Sequence, residues 1–178
     1  MNYAEINECS VADGDGCRVV LYCSGCNLNC KGCHNPQTWD FNYGKEFTED
    51  TMRELIKALS KPYIKGLTLS GGHPLDEKNL PVVNKIVEEV ALLFPEKTIW
   101  VYSGYTWEEI LKQDEFYEER EINAISALDV LKNCDVLVDG TFIEEQVDLT
   151  LAYRGSANQR IIDIKQSLKK GQVELWQI

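Results

Sequence analysis

An alternation dominates this sequence. Short runs rich in β-branched and aromatic residues, at Cys17–Tyr22, Gly66–Ser70, Thr98–Tyr102 and Asp135–Asp139, are separated by longer stretches with apolar residues at helical spacing. Met52, Leu55, Ile56 and Leu59 share one helical face, and Thr51 with Glu54 has the spacing of a capping box at its start. Leu80, Val83, Val87, Val90 and Phe94 form a second stripe, ended by Pro95, and Ile122, Ile125, Leu128 and Leu131 form a third. Thr106 and Glu109 repeat the capping-box spacing and predict a short helix from Thr106. Strands joined through crossover helices make parallel sheets with right-handed connections, so the predicted class is α/β with a mostly parallel sheet. A closed eight-unit barrel takes about 250 residues; with 178, this chain supplies a partial (β/α) barrel. No repeat and no Ser-, Gly- or Pro-rich linker interrupts it, so 1–178 reads as a single domain, with 151–178 a C-terminal extension packed on it.

The unusual loops all follow these strands. A cysteine loop follows the first, Ser70-Gly71-Gly72-His73-Pro74 the second, Ser103-Gly104-Tyr105 the third and Asp139-Gly140-Thr141 the fourth. The carboxyl edge of a parallel sheet is where ligands bind, so the pattern gathers four separate motifs into one candidate site. Within residues 23–36, Cys26, Cys30 and Cys33 form C-x-x-x-C-x-x-C, compact enough to place three thiolates on one iron–sulfur cluster. Three protein ligands on a [4Fe–4S] cluster leave the fourth iron open to a chelating ligand, as in catalytic metal sites. Cys23 extends the pattern and leaves a second reading open: a closed four-cysteine site, either an iron–sulfur electron carrier or a zinc module without catalysis. Structural zinc pairs usually lie a dozen or more residues apart, which disfavours zinc, and Cys23 at a strand end also suits a small packed side chain. Cys9, Cys17 and Cys134 have no ligand spacing and read as plain thiols.

Beyond the cysteines, the sequence resembles the radical S-adenosylmethionine proteins and, within them, the small activating proteins of anaerobic ribonucleotide reductase. The resemblance rests on Asp13-Gly14-Asp15-Gly16-Cys17-Arg18, the cysteine triad with Gly32, His34-Asn35-Pro36, Leu69-Ser70-Gly71-Gly72 with Pro74-Leu75, Val138-Asp139-Gly140, and Arg154-Gly155-Ser156 with Asn158-Gln159. It implies a radical S-adenosylmethionine fold and a [4Fe–4S] cluster on Cys26, Cys30 and Cys33 whose free iron chelates S-adenosylmethionine. It further implies reductive cleavage of that cofactor and a glycyl radical raised on the catalytic subunit of the reductase. The cofactor contacts carried over by position are Gly32, Cys33, His34 and Gly72, with Gly71 and His73 beside them. His73 departs from the family, which usually has an acid there. The resemblance also implies a flavodoxin or ferredoxin-type reductant and a homodimer or a complex with the reductase. Cys33-His34-Asn35-Pro36 occurs as well in activases of other glycyl-radical enzymes such as pyruvate formate-lyase, which are usually longer.

Eighteen Lys and Arg against 29 Asp and Glu leave a net charge of −11, which disfavours nucleic acid and anionic lipid as partners. The longest strongly apolar run, Val90–Phe94, is far shorter than the ~20 residues of a membrane span. The N-terminus lacks the pattern of a secretory signal, so the expected compartment is the cytoplasm. Gln113–Glu121 reads as an acidic solvated face, Asp13 and Asp15 as part of a turn, and Arg154 as a candidate partner for a carboxylate.

Overall fold

In the computed structural model, residues 1–119 and 124–178 are described. Their centre is a seven-stranded sheet of order β3-β1-β2-β4-β5-β6-β7. The strands are β1 (Asn2–Ser10), β2 (Cys17–Cys23), β3 (Lys45–Glu46), β4 (Ile64–Gly71), β5 (Thr98–Tyr102), β6 (Val136–Asp139) and β7 (Arg160–Asp163). β2, β4, β5 and β6 run parallel and are the four runs predicted from the sequence, with ends shifted by at most two residues. Three further strands add to this core in the antiparallel sense: β1 beside β2, β3 beside β1, and β7 beside β6. The sheet is therefore mixed, with a parallel centre; β3 and β7 are its ends, and among the described residues no pairing joins them.

Among the described residues five α-helices accompany the strands: α1 (Glu49–Leu59), α2 (Leu80–Leu93), α3 (Trp107–Glu119), α4 (Ala127–Leu131) and α5 (Ile164–Lys170). α1 begins one turn earlier than Thr51 and Glu54 imply. Thr48 is its cap, its hydroxyl accepting the Thr51 N–H, and Thr51 is the residue that reaches back. At α3 the predicted pair holds: the Thr106 hydroxyl accepts the Glu109 N–H at 3.3 Å, and the Glu109 carboxylate accepts the Thr106 N–H at 2.8 Å. That helix is thirteen residues long, not short, because the acidic stretch continues it to Glu119. The third stripe becomes α4, capped by Ser126, while Ile122 and the end of the acidic stretch lie outside the described residues.

Alternation along the strands divides their side chains between two cores. On the helix-covered face, Val19, Leu21, Cys23, Leu67, Leu69, Ile99, Val101 and Leu137 pack with Leu55, Leu59, Val83, Val87, Val90 and Leu131 from α1, α2 and α4. On the opposite face, Trp100, Val136, Val138 and Ile161 pack with Tyr102, Tyr153 and Trp176, so the last 28 residues supply both a strand and core aromatics. The segment between β1 and β2 folds back over this inner face, where the Thr68 hydroxyl donates to the Asp13 carbonyl at 2.8 Å. Cys9 and Cys17, read from the sequence as plain thiols, are joined in a disulfide. The antiparallel register of β1 on β2, which sequence spacing does not display, brings them together.

Candidate functional site

Two strand-end loops are bonded into one unit at the carboxyl edge of the parallel strands. Gly72 N–H donates to the Cys23 carbonyl at 2.7 Å, His73 N–H to the Gly25 carbonyl at 2.8 Å, and Gly25 N–H to the Thr38 carbonyl at 2.7 Å. The buried Asn79 amide donates to the carbonyls of both Ser24 and His73, each at 3.0 Å. This closeness explains the glycine pair. A Cβ on Gly72 would lie 2.7 Å from the Gly25 carbonyl oxygen, and Gly71 has φ +100° with the Cys23 carbonyl 2.6 Å from its own Cβ position.

Above this unit lies a cavity of about 600 Å³, within the usual range for small-molecule sites. All four strand-end loops line it: Cys26, Cys30, Cys33 and His34 after β2, Gly71 and Gly72 after β4, Ser103 and Gly104 after β5, and Gly140 after β6. Tyr22, Tyr102 and Asp13 form part of its wall on the inner face of the sheet, and His34 tilts against Phe142 with ring centroids 4.9 Å apart. The lining holds Glu5, Asp13 and three cysteines but no lysine or arginine. Burial pushes the Cys26 thiol up, and Cys30 and Cys33 add repulsion, so a thiolate at Cys26 requires a positive charge beside it.

That requirement fits an iron–sulfur cluster. The donors are soft thiolates from a single loop, all half-buried and all opening onto the cavity. Among the described residues no three His, Cys, Asp or Glu side chains converge tightly enough for one metal ion; a cubane of four irons spreads its thiolates more widely. Cys23 stands elsewhere: it is fully buried in the core on the helix-covered face, it does not line the cavity, and burial pushes its thiol up to about 12.

Two of the positions carried over from the family also lie off the cavity. Gly32, at φ +72°, packs against Glu144, whose carboxylate is held by Lys31 at 2.9 Å. His73 is 1% exposed beneath the glycine turn, its Nε2 3.1 Å from the Ser103 hydroxyl and its ring edge-on to Tyr105 at 4.6 Å. Burial lowers its pKa to about 4, and its Nδ1 has no hydrogen-bond partner among the described residues. Arg154 pairs with no carboxylate among the described residues; its Nη1 donates to the Gln159 carbonyl at 2.9 Å. Gln159 in turn accepts the Gly155 N–H at 2.9 Å and donates to the Gly140 carbonyl at 3.0 Å, seating the Arg-Gly-Ser-x-Asn-Gln segment against the cavity rim. Tyr22, Tyr102, Phe142 and Gln159 escaped the sequence reading as wall residues. The first two are visible only once strand alternation is known, and the last two only once the chain beyond β6 is seen to return to the site.

The fold and this cysteine-lined cavity define an iron–sulfur protein, and residues 12–162 match the family model described as a 4Fe-4S single cluster domain. The anaerobic ribonucleoside-triphosphate reductase-activating protein of enterobacteria phage T4 is 42% identical over 161 residues, covering 90% of this chain and 93% of that one. Proteins of the same description from Haemophilus influenzae and Escherichia coli K12 are 40% and 38% identical, over 90% and 89% of this chain and 97% and 96% of theirs. The chain belongs to the family of anaerobic ribonucleoside-triphosphate reductase-activating proteins.

Proposed function

We propose that this chain is a radical S-adenosylmethionine activase: it holds a [4Fe–4S] cluster on Cys26, Cys30 and Cys33, binds S-adenosylmethionine beside it, and raises a glycyl radical on anaerobic ribonucleotide reductase. The observation that carries this reading is the cavity in which the three half-buried cysteines meet the Gly71-Gly72 strand end, with carboxylates but no lysine or arginine in the lining. A ligand bearing a sulfonium and an ammonium suits such a lining, as does a cationic cluster core. The cluster and S-adenosylmethionine together supply one-electron reductive cleavage and hydrogen-atom abstraction.

The chain's own residues position, shield and admit. Cys26, Cys30 and Cys33 would hold the cluster and leave one iron for chelation, and Gly71 and Gly72 would offer backbone to the methionine amine without Cβ atoms in the way. Cys33 and His34 would flank the cofactor, with Gly32 shaping the turn between the cysteines. His73 acts from beneath, through Ser103. Tyr22, Tyr102 and Phe142 wall the cavity against water. The seven-stranded sheet, with its site on the inner face, is read as a part-barrel of radical S-adenosylmethionine type formed by one domain of 1–178. The partners are the catalytic subunit of the reductase and a flavodoxin or ferredoxin-type reductant, with homodimerisation on the same analogy, in the cytoplasm.

Anaerobic reconstitution with iron and sulfide, followed by electron paramagnetic resonance with and without S-adenosylmethionine, tests this reading. The expected result is a spectrum that changes on adding the cofactor, followed by 5′-deoxyadenosine and a glycyl radical on the added reductase. Cys26→Ala loses the cluster, whereas Cys23→Ala keeps both iron and spectrum. A cluster indifferent to the cofactor, or one lost with Cys23, returns the chain to the closed four-cysteine class.

A further inference from the structure

Ser103, just past the end of β5, joins the cavity to the buried layer beneath it. It lines the cavity, and its backbone N–H donates to the Val138 carbonyl at 2.8 Å, which fixes it against β6. Its hydroxyl oxygen has two neighbours: His73 Nε2 at 3.1 Å, and the Tyr105 N–H, which donates to it at 3.0 Å. His73 is held in turn. Its N–H donates to the Gly25 carbonyl, its carbonyl accepts the Asn79 amide, and its ring stands edge-on to Tyr105. Burial keeps that ring neutral at physiological pH, so it carries one proton, on Nδ1 or on Nε2. On Nδ1 the proton would be buried with no acceptor among the described residues, forfeiting a hydrogen bond that it makes in water. On Nε2 it donates to Ser103, and Nδ1 keeps only a bare lone pair.

The Nε2–H tautomer settles what Ser103 offers. With His73 Nε2–H and Tyr105 N–H both donating, the two lone pairs of its oxygen are filled. Its own proton has no acceptor among the described residues and is left for one in the cavity. Sheet order says which part of a ligand meets that donor. The cysteine loop follows β2, the glycine pair ends β4, and β5 and β6 come next. On the proposed function the methionine end of S-adenosylmethionine is held at the cluster and the glycine pair, so the nucleoside end extends toward β5 and β6. The first hydrogen-bond acceptors past the sulfonium are the ribose oxygens. No lysine or arginine of the lining serves them, so a neutral donor must.

We propose that Ser103 donates its hydroxyl to a ribose hydroxyl oxygen of S-adenosylmethionine, and that His73 is the positioning residue that keeps this hydroxyl turned into the cavity. This rests on the proposed function, since it deepens the account of how that cofactor is held. Isothermal titration of the reconstituted full chain tests it, with S-adenosylmethionine and its 2′-deoxy and 3′-deoxy analogues. Ser103→Ala is expected to weaken S-adenosylmethionine about fivefold, the worth of one neutral hydrogen bond, and to weaken one of the two analogues by less than about twofold. Equal losses for all three ligands overturn the ribose assignment. His73→Leu, which frees the hydroxyl to turn, is expected to weaken S-adenosylmethionine by about threefold or more, and His73→Gln, whose amide also donates, to stay within about twofold of wild type. His73→Leu should add nothing in the Ser103→Ala background; additive losses overturn the positioning role. In nitrogen-15 NMR of the full chain, His73 is told from the exposed His34 by its failure to titrate near neutrality, and a proton on Nδ1 would overturn the tautomer on which that role depends. The Ser103→Ala arm leaves position 73 intact, so it decides the hydroxyl's role even if His73→Leu does not fold. Wild-type binding that Ser103→Ala leaves unchanged overturns this assignment alone, whereas a wild-type chain that binds no S-adenosylmethionine overturns the proposed function and this assignment with it.

Discussion

At position 73 an imidazole stands where the resembled family usually has an acid, and its surroundings set its behaviour. His73 is 1% exposed, and burial lowers its pKa to about 4 from an ordinary 6.5. The unfolded chain therefore takes up a proton first as pH falls: the stability tied to neutral His73 is complete above 6.5 and is lost as pH drops from 6.5 toward 4. At pH 5 the loss relative to pH 7.5 comes to about 2 kcal/mol. Urea-unfolding free energies should show wild type falling that much further than His73→Gln between the two pH values; parallel losses would contradict the assignment. The same contrast between identity and surroundings separates the cysteines. Cys26, Cys30 and Cys33 announce themselves by spacing, but that Cys23 turns away from them depends on the strand parity of β2, which places it in the helix-side core.

At the scale of elements, the parallel centre is tied together by one side chain. Arg18 is fully buried and spans three strands: Nε donates to the Thr68 hydroxyl at 2.8 Å, Nη1 to the Thr98 hydroxyl at 2.9 Å, and Nη2 to the Leu67 and Thr98 carbonyls, both at 2.7 Å. Nη1 also reaches the Asp15 carbonyl, and the guanidinium lies 5.3 Å from the centre of the Trp100 ring. Burial lowers its pKa to about 10, leaving it charged at neutral pH, so its desolvation is offset by carbonyls and hydroxyls that a single ammonium cannot reach at once. Arg18→Lys is expected to cost at least about 2 kcal/mol in urea unfolding; a loss under about 0.5 kcal/mol, the usual range for a surface change, would show that the fork is dispensable. The central strands and the first two helices were legible because apolar spacing and capping residues are local signals. β1, β3 and β7 were not: their definition lies in pairing with distant partners, and β3 is only two residues long.

For the whole molecule, the acidic balance and the cavity act together. A net charge of −11 and a lining without lysine or arginine favour cationic ligands and repel anionic ones. The dissociation constant of S-adenosylmethionine is thus expected to rise about threefold or more between low and 0.5 M salt, where screening shortens to a few Å, while that of S-adenosylhomocysteine, which lacks the sulfonium charge, stays nearly constant. Isothermal titration on the reconstituted protein would check this, and equal salt responses would remove charge from the account of binding. The sequence by itself determined the class of fold, the four parallel strands, the cysteine triad and the family, because periodicity, capping and ligand spacing are written in neighbouring residues. Only the tertiary structure decided which side of the sheet each residue serves. It buried His73 and Cys23, bonded Cys9 to Cys17 and turned Arg154 onto a backbone carbonyl. Those outcomes depend on register and on packing between segments far apart in the chain, and no local pattern encodes them.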